Sequence, residues 1–187
     1  MKHTVTIALL LALLAGTGCS PEQPGNATAA EDSVQIAIEA ESPVEITEPA
    51  RLIEADGTSG GRALELPDKK LPEDVTAAPA RFEFQADKPG RYALWLRTRW
   101  QDGCGNSLAV ALDGGRPLDV GNDGTYGTWH WVKGGTWDLE QGTRELALHW
   151  REDGLAIDQM LLTNDLEFWP DGALAAVETP VEPPAVD

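Results

Sequence analysis

Two features of the 187-residue chain combine residue types that do chemistry. Glu39 and Glu41 stand two apart in "VQIAIEAE", so on an extended strand both carboxylates leave the same face, about 7 Å apart along the backbone. Left unneutralised, the pair repels. A hard cation would resolve the conflict, because calcium takes about 6–8 oxygen ligands in flexible geometry. Pairing with Arg97 or Arg99, or exposure to water, would also resolve it. Asp158 lies inside the apolar run "LAIDQMLL", where a buried carboxylate is costly unless it is ion-paired or metal-bound.

The second feature is "WQDGCGNS", Trp100 to Ser107, which interrupts two strand-like runs. A plain hairpin needs about two to five turn residues, and these eight carry more side-chain chemistry than a turn requires. Trp100, Asp102 and Asn106 offer an indole, a carboxylate and an amide, which suits a sugar: its C–H face covers a flat ring while polar groups bond its hydroxyls. Trp100, at the loop edge, is the expected exposed indole. Trp129 and Trp131 share one strand face, so they are equally candidates for packing inward. Asn122 and Asp123 in "GNDGTYG" can line the same rim or cap a turn. Arg151 and Glu152 read as a rim ion pair.

The elements that must position these residues are strands. The dominant period is two: Val34, Ile36 and Ile38 alternate with polar or small neighbours, as do Phe82 and Phe84, and Tyr92, Leu94 and Leu96 alternate with Trp95, Arg97 and Arg99. "SLAVAL", "TWHWV", "RELALHWR" and "LAIDQMLL" follow. Glycine turns are expected at "KPG", "DGG", "KGG", "EQG" and "EDG". Short strands at this rhythm, with no long helical period, predict an all-β sandwich or barrel.

The chain begins with a short basic start and an apolar run from Val5 to Ala15, too short for the roughly 20 residues that span a bilayer, which reads as a secretory signal over residues 1–18. The small residues before Cys19 resemble a bacterial lipobox, although Gly16 stands where that pattern prefers leucine. The resemblance implies cleavage and lipidation at Cys19, and Ser20 resembles the sorting preference for the outer membrane. Residues 19–33 then read as a lipidated flexible tether of roughly 20 Å, residues 34–172 as one folded module, and residues 173–187 as an acidic, proline-rich disordered tail. Lipidated Cys19 leaves Cys104 as the single thiol, expected buried and anchoring its loop. With 14 Lys+Arg against 31 Asp+Glu, the net charge of −17 excludes nucleic acid and anionic lipid as partners of the surface as a whole. The chain has no H-E-x-x-H or P-loop, and His130 and His149 lack an adjacent nucleophile, so no enzyme is expected.

"IEAE" (Ile38–Glu41), "GRYALWLR" (Gly90–Arg97), "TWHWV" (Thr128–Val132) and "AIDQMLLT" (Ala156–Thr163), in that order and spacing, resemble the motif series of carbohydrate-binding modules of families 6 and 35. The resemblance implies a galactose-binding-like jelly-roll β-sandwich and a structural calcium ion held by Glu39, Glu41 and Asp158. It also implies a sugar site at the loop end, where Tyr126, Trp129 and Asp153 match and join Trp100, Asp102 and Asn106. The expectation is a non-catalytic lipoprotein on the surface or periplasmic face of the outer membrane, holding polysaccharide or oligosaccharide beside separate glycan-degrading enzymes. The alternative is a structural or protein-interaction sandwich whose loops dock a partner in a surface complex.

Overall fold

The computed structural model describes residues 33–73 and 76–175; the signal segment, Cys19, most of the tether and the tail from residue 176 lie outside the described residues. In chain order the strands are β1 (Gln35–Glu39), β2 (Glu45–Ile46), β3 (Arg51–Glu54), β4 (Arg62–Leu66), β5 (Ala80–Ala86) and β6 (Gly90–Trp100). They continue with β7 (Ser107–Leu112), β8 (Leu118–Gly121), β9 (His130–Leu139), β10 (Gly142–His149) and β11 (Leu155–Thr163). Among the described residues there is no helix.

The strands form two antiparallel sheets. One runs β3-β4-β11-β6-β9, with β1 also on β11, and the other runs β2-β5-β10-β7-β8. The first half of β11 pairs with β4 and its second half with β1, so these two strands lie end to end along one edge of β11. The main core fills the space between the sheets. Tyr92, Leu94, Leu96 and Trp100 of β6 meet Phe82 of β5, Val110 of β7, Leu148 of β10 and Met160 of β11 there.

The period of two holds along β6 to its last residue, and this decides the fate of Trp100. It lies on the Leu94–Leu96 side and is 0 % exposed, so the indole expected at a rim is part of the core instead. Trp95, Arg97 and Arg99 take the opposite, outer face of the sheet, and across the pair Trp131 stands opposite Arg97. That outer face is itself covered: Trp95, Trp131, Leu161 and Phe168 form a second apolar cluster, with Leu174 packed against it. Antiparallel sheets with one wet face alternate cleanly, whereas β11, covered on both faces, is buried at every position.

"KGG" is no turn. β9 runs through it, and the register against β6 slips between Leu94 and Trp95 so that Gly134 is the extra residue of a bulge. A Cβ on Gly134 would stand 2.9 Å from Leu96 Cδ1 and 3.2 Å from Leu94 Cδ2, so any larger residue there would have to displace core leucine side chains. Trp100→Ala is expected to cost about 3–5 kcal/mol in urea-unfolding stability, the usual loss for a buried aromatic; a cost below about 1 kcal/mol would contradict its core role.

Candidate functional site

The loop between β6 and β7, residues 101–106, is built around backbone contacts. Gln101 N donates to the carbonyls of Gly105 (3.2 Å) and Gly154 (3.1 Å). A Cβ on Gly105 would stand 2.3 Å from the Asp153 carbonyl oxygen, so glycine is needed there for close approach to the β10–β11 turn. Asp102 Oδ1 accepts from Cys104 N (2.8 Å) and Gly105 N (3.2 Å), capping the turn from an exposed position. Asn106 is buried, its Nδ2 donating to the Gly103 carbonyl (3.2 Å) and its backbone N to Glu152 Oε2 (3.0 Å), so it belongs to the framework and does not reach the rim. Cys104 is exposed, contrary to the expected buried anchor; Gly105 and Asn106 anchor the loop instead.

Three further segments converge on this end. Tyr126 is 46 % exposed, and the next residue, Gly127, donates its N–H to the Trp100 carbonyl at 2.8 Å. Asp153 Oδ2 accepts from Lys70 N (3.0 Å), tying residues 67–70 to the same rim. Asp123 caps its turn through Thr125 N (2.9 Å) and places its other oxygen 2.8 Å from His130 Nε2. Arg151 and Glu152 pair at 3.2 Å, as the rim reading expected.

Trp129, just before β9, faces the outer side of the sheet and is half-buried. Its Nε1 donates to the Asp56 carbonyl at 3.0 Å, and the Arg99 guanidinium lies 4.9 Å from its ring centroid. Arg99 makes no ion pair among the described residues; it lines a cavity of about 320 Å³ with Glu65, Gln101, Gly127, Gly154 and Ala156. Trp129, a fixed and partly open indole beside the Arg99 guanidinium, can take the C–H face of a sugar, and Arg99 connects it to the cavity where Gln101 and Glu65 offer an amide and a carboxylate to hydroxyls. Arg99 was not among the expected ligand residues; its signal was its place on the outward set of β6, next to Trp129.

The acidic cluster sits on the outer face, under the β3–β4 loop. Ser59 Oγ donates to Glu39 Oε2 (2.6 Å) and lies 3.1 Å from Asp158 Oδ1, which also accepts from Ser59 N (3.0 Å). Gln159 Nε2 donates to Glu39 Oε1 (2.9 Å). Asp158 is 0 % exposed and forms a buried ion pair with Arg97, whose Nη1 also donates to the Gly57 carbonyl (2.9 Å). Of the sequence alternatives, arginine pairing therefore holds for Asp158. Among the described residues no three acidic, histidine or cysteine side chains are grouped closely enough to hold an ion by themselves. Glu41 keeps the cation reading open: its Oε2 is buried with no hydrogen-bond donor. Burial, and then the Glu39 and Asp158 charges, raise its carboxyl above the ordinary 4.5, against its own backbone hydrogen bond and Arg62. With Ser59 Oγ, the cluster is an all-oxygen donor set of the kind calcium takes.

Arg97→Leu strands the Asp158 charge in the interior and is expected to cost about 3–5 kcal/mol in chemical unfolding, more than a surface pair could. The raised Glu41 carboxyl favours the fold when protonated. Its contribution is full below pH 4.5 and is lost as pH rises through the folded value. In chelator, Glu41→Gln should therefore be more stable than the parent at neutral pH, with the advantage disappearing below pH 4.5; an advantage that does not change with pH would contradict this.

No protein-family model matches the sequence, and no curated protein matches it. Among solved structures, the chain is similar to a family 35 carbohydrate-binding module from Clostridium thermocellum, at 14 % identity and a TM-score of 0.54, over 67 % of this chain and 96 % of that one. It is similar to the GH26-CBM35 β-(1,4)-mannanase of Podospora anserina (18 % identity, TM-score 0.57), covering 68 % of this chain and 27 % of the mannanase. An exo-β-1,3-galactanase from Phanerochaete chrysosporium, solved with galactose, matches at 16 % identity and a TM-score of 0.53, over 69 % of this chain and 29 % of that one. The chain thus spans little more than a quarter of the two enzymes and nearly the whole of the module. Its fold is the β-sandwich jelly roll of the carbohydrate-binding modules.

Proposed function

We propose that this protein is a non-catalytic glycan-binding module, tethered through lipidated Cys19 to the bacterial outer membrane, that holds polysaccharide for separate degrading enzymes. The observation that carries the reading is Trp129: a half-open indole fixed by the Asp56 carbonyl, with the guanidinium of Arg99, which lines the loop-end cavity, 4.9 Å from its ring centroid. Tyr126 and Asp102 supply an exposed ring and a carboxylate at the same end. The likeness in fold to a family 35 module and to a galactanase solved with galactose supports the same class of ligand. In this reading a calcium ion is held by Glu39, Glu41 and Asp158 with Ser59; when bound, it neutralises the carboxylates and braces the β3–β4 loop on which Trp129 rests.

A glycan array spanning plant, algal and host polysaccharides, followed by calorimetry, tests the sugar reading. Trp129→Ala should lower affinity for the retained glycan at least about tenfold, the equivalent of about 1.4 kcal/mol; complete silence of the parent protein on the array removes the proposal. Calcium is tested separately. Adding it to chelator-treated protein should raise the melting temperature, as any ligand of the folded state alone must. The rise should vanish in Glu41→Gln, and no rise in the parent rules the ion out.

A further inference from the structure

We infer that the groove running along the outer face of the six-stranded sheet from Trp129 to Trp169 is a second carbohydrate contact, so that the protein grips the interior of an uncharged glycan chain. The inference rests on the sugar reading of the loop end and extends the ligand from one sugar to several. The groove has a volume of about 480 Å³, within the usual range of about 300–1,000 Å³ for small-ligand sites. Trp95 and Trp131 floor it. Trp129, His130 and Thr125 line it together with Trp169 and Asp171.

Trp169 is 64 % exposed, yet it is held in place. Its ring stands edge-on to Trp95, with centroids 4.7 Å apart and planes at 67°. The chain on both sides is pinned: Phe168 is buried in the outer cluster, Trp131 Nε1 donates to the Gly172 carbonyl (2.7 Å), and Leu174 N donates to Gln159 Oε1 (2.9 Å). Lys133 Nζ donates to the Leu166 carbonyl (3.2 Å) and lies 5.5 Å from the Trp95 ring. Leu174, which the sequence assigned to the tail, is thus part of this built strap. A rigid, solvent-facing indole on such a strap is a platform with no core role of its own.

The charges of the groove select the ligand. Asp123 lies 2.8 Å from His130 Nε2, Arg97 is paired with Asp158, and Lys133 and Asp171 carry opposite signs. Arg97 is neutralised by Asp158 and the remaining charges, Asp123, Lys133 and Asp171, are of mixed sign, so an ionic polymer finds no cluster of one sign, while a polyhydroxylated neutral chain finds rings, a hydroxyl at Thr125 and hydrogen-bonding groups. Trp129 joins this groove to the loop-end cavity, because Arg99, which lines that cavity, lies over the Trp129 ring.

The test uses the full-length protein in detergent, titrated with β-1,4-manno- and β-1,3-galacto-oligosaccharides of one, three and six sugars. The parent should bind the hexasaccharide of one series at least about tenfold more tightly than the monosaccharide. Trp169→Ala, a surface change expected to leave the melting temperature nearly unaltered, should abolish that gain while keeping the monosaccharide affinity. Trp129→Ala should weaken every length. If Trp169→Ala binds the hexasaccharide as the parent does, the groove inference falls and the loop-end reading stands. If only Trp169→Ala loses binding, the loop-end reading falls and the groove stands. Silence of both series overturns the inference. So does a synthetic peptide of residues 176–187 that shifts the Trp169 indole resonance when the sugars do not, because the groove then belongs to a peptide.

Discussion

The pairing of Arg97 with Asp158 is the constraint on which the outer face of this sandwich is arranged. Both groups are buried, on adjacent strands β6 and β11, where either charge without the other would be costly. The same guanidinium holds the Gly57 carbonyl and the same carboxylate holds Ser59, so the ion pair pulls the β3–β4 loop down onto the sheet. That loop then presents the Asp56 carbonyl to Trp129. Charge neutralisation in the sheet is in this way coupled to the pose of the indole at the loop end, with the Glu39 and Glu41 carboxylates alongside.

Much of this was legible in the sequence because β1, β5, β6, β7, β10 and β11 carry strong apolar signals, by alternation or as continuous runs. β2, β3, β4 and β8 were not read: they have two to five residues, and none is flanked by further alternating residues as β1 is by Val34 and Glu41. The misplacement of Trp100 had a local cause. Counting by twos from Leu94 assigns it to the core, but its neighbourhood of glycines and polar residues suggested a loop. The "KGG" error was of another kind, since two consecutive glycines serve a bulge as well as a turn, and only the opposing Leu94 and Leu96 decide between them. Trp169 was invisible because it follows the last strand in a segment without periodicity; its position depends on contacts with Trp95 and Trp131, far away in the chain.

Sandwich folds host unrelated activities, and the function of any one must be argued from its site. Here the unusual trait is the covering of a sheet face that antiparallel sandwiches commonly leave wet. The β3–β4 loop covers one part and residues 165–174 another, and the tryptophans between them are neither fully solvated nor wholly enclosed. A flat, solvated face would offer a ligand only rotating surface side chains. The two coverings give this face fixed walls, and walls make contacts directional.

The place of β11 has a consequence for how the chain is made. The last strand in sequence lies inside the six-stranded sheet, between β6 on one side and β4 and β1 on the other, and every one of its residues is buried. A chain emerging from the ribosome therefore carries β1 and the β3–β4 pair without their central partner until β11 is synthesised, so this sheet is completed only at the end of the folded region. The long-range pairings of this sheet therefore close last, when β11 enters between β6 and the β1 and β4 strands.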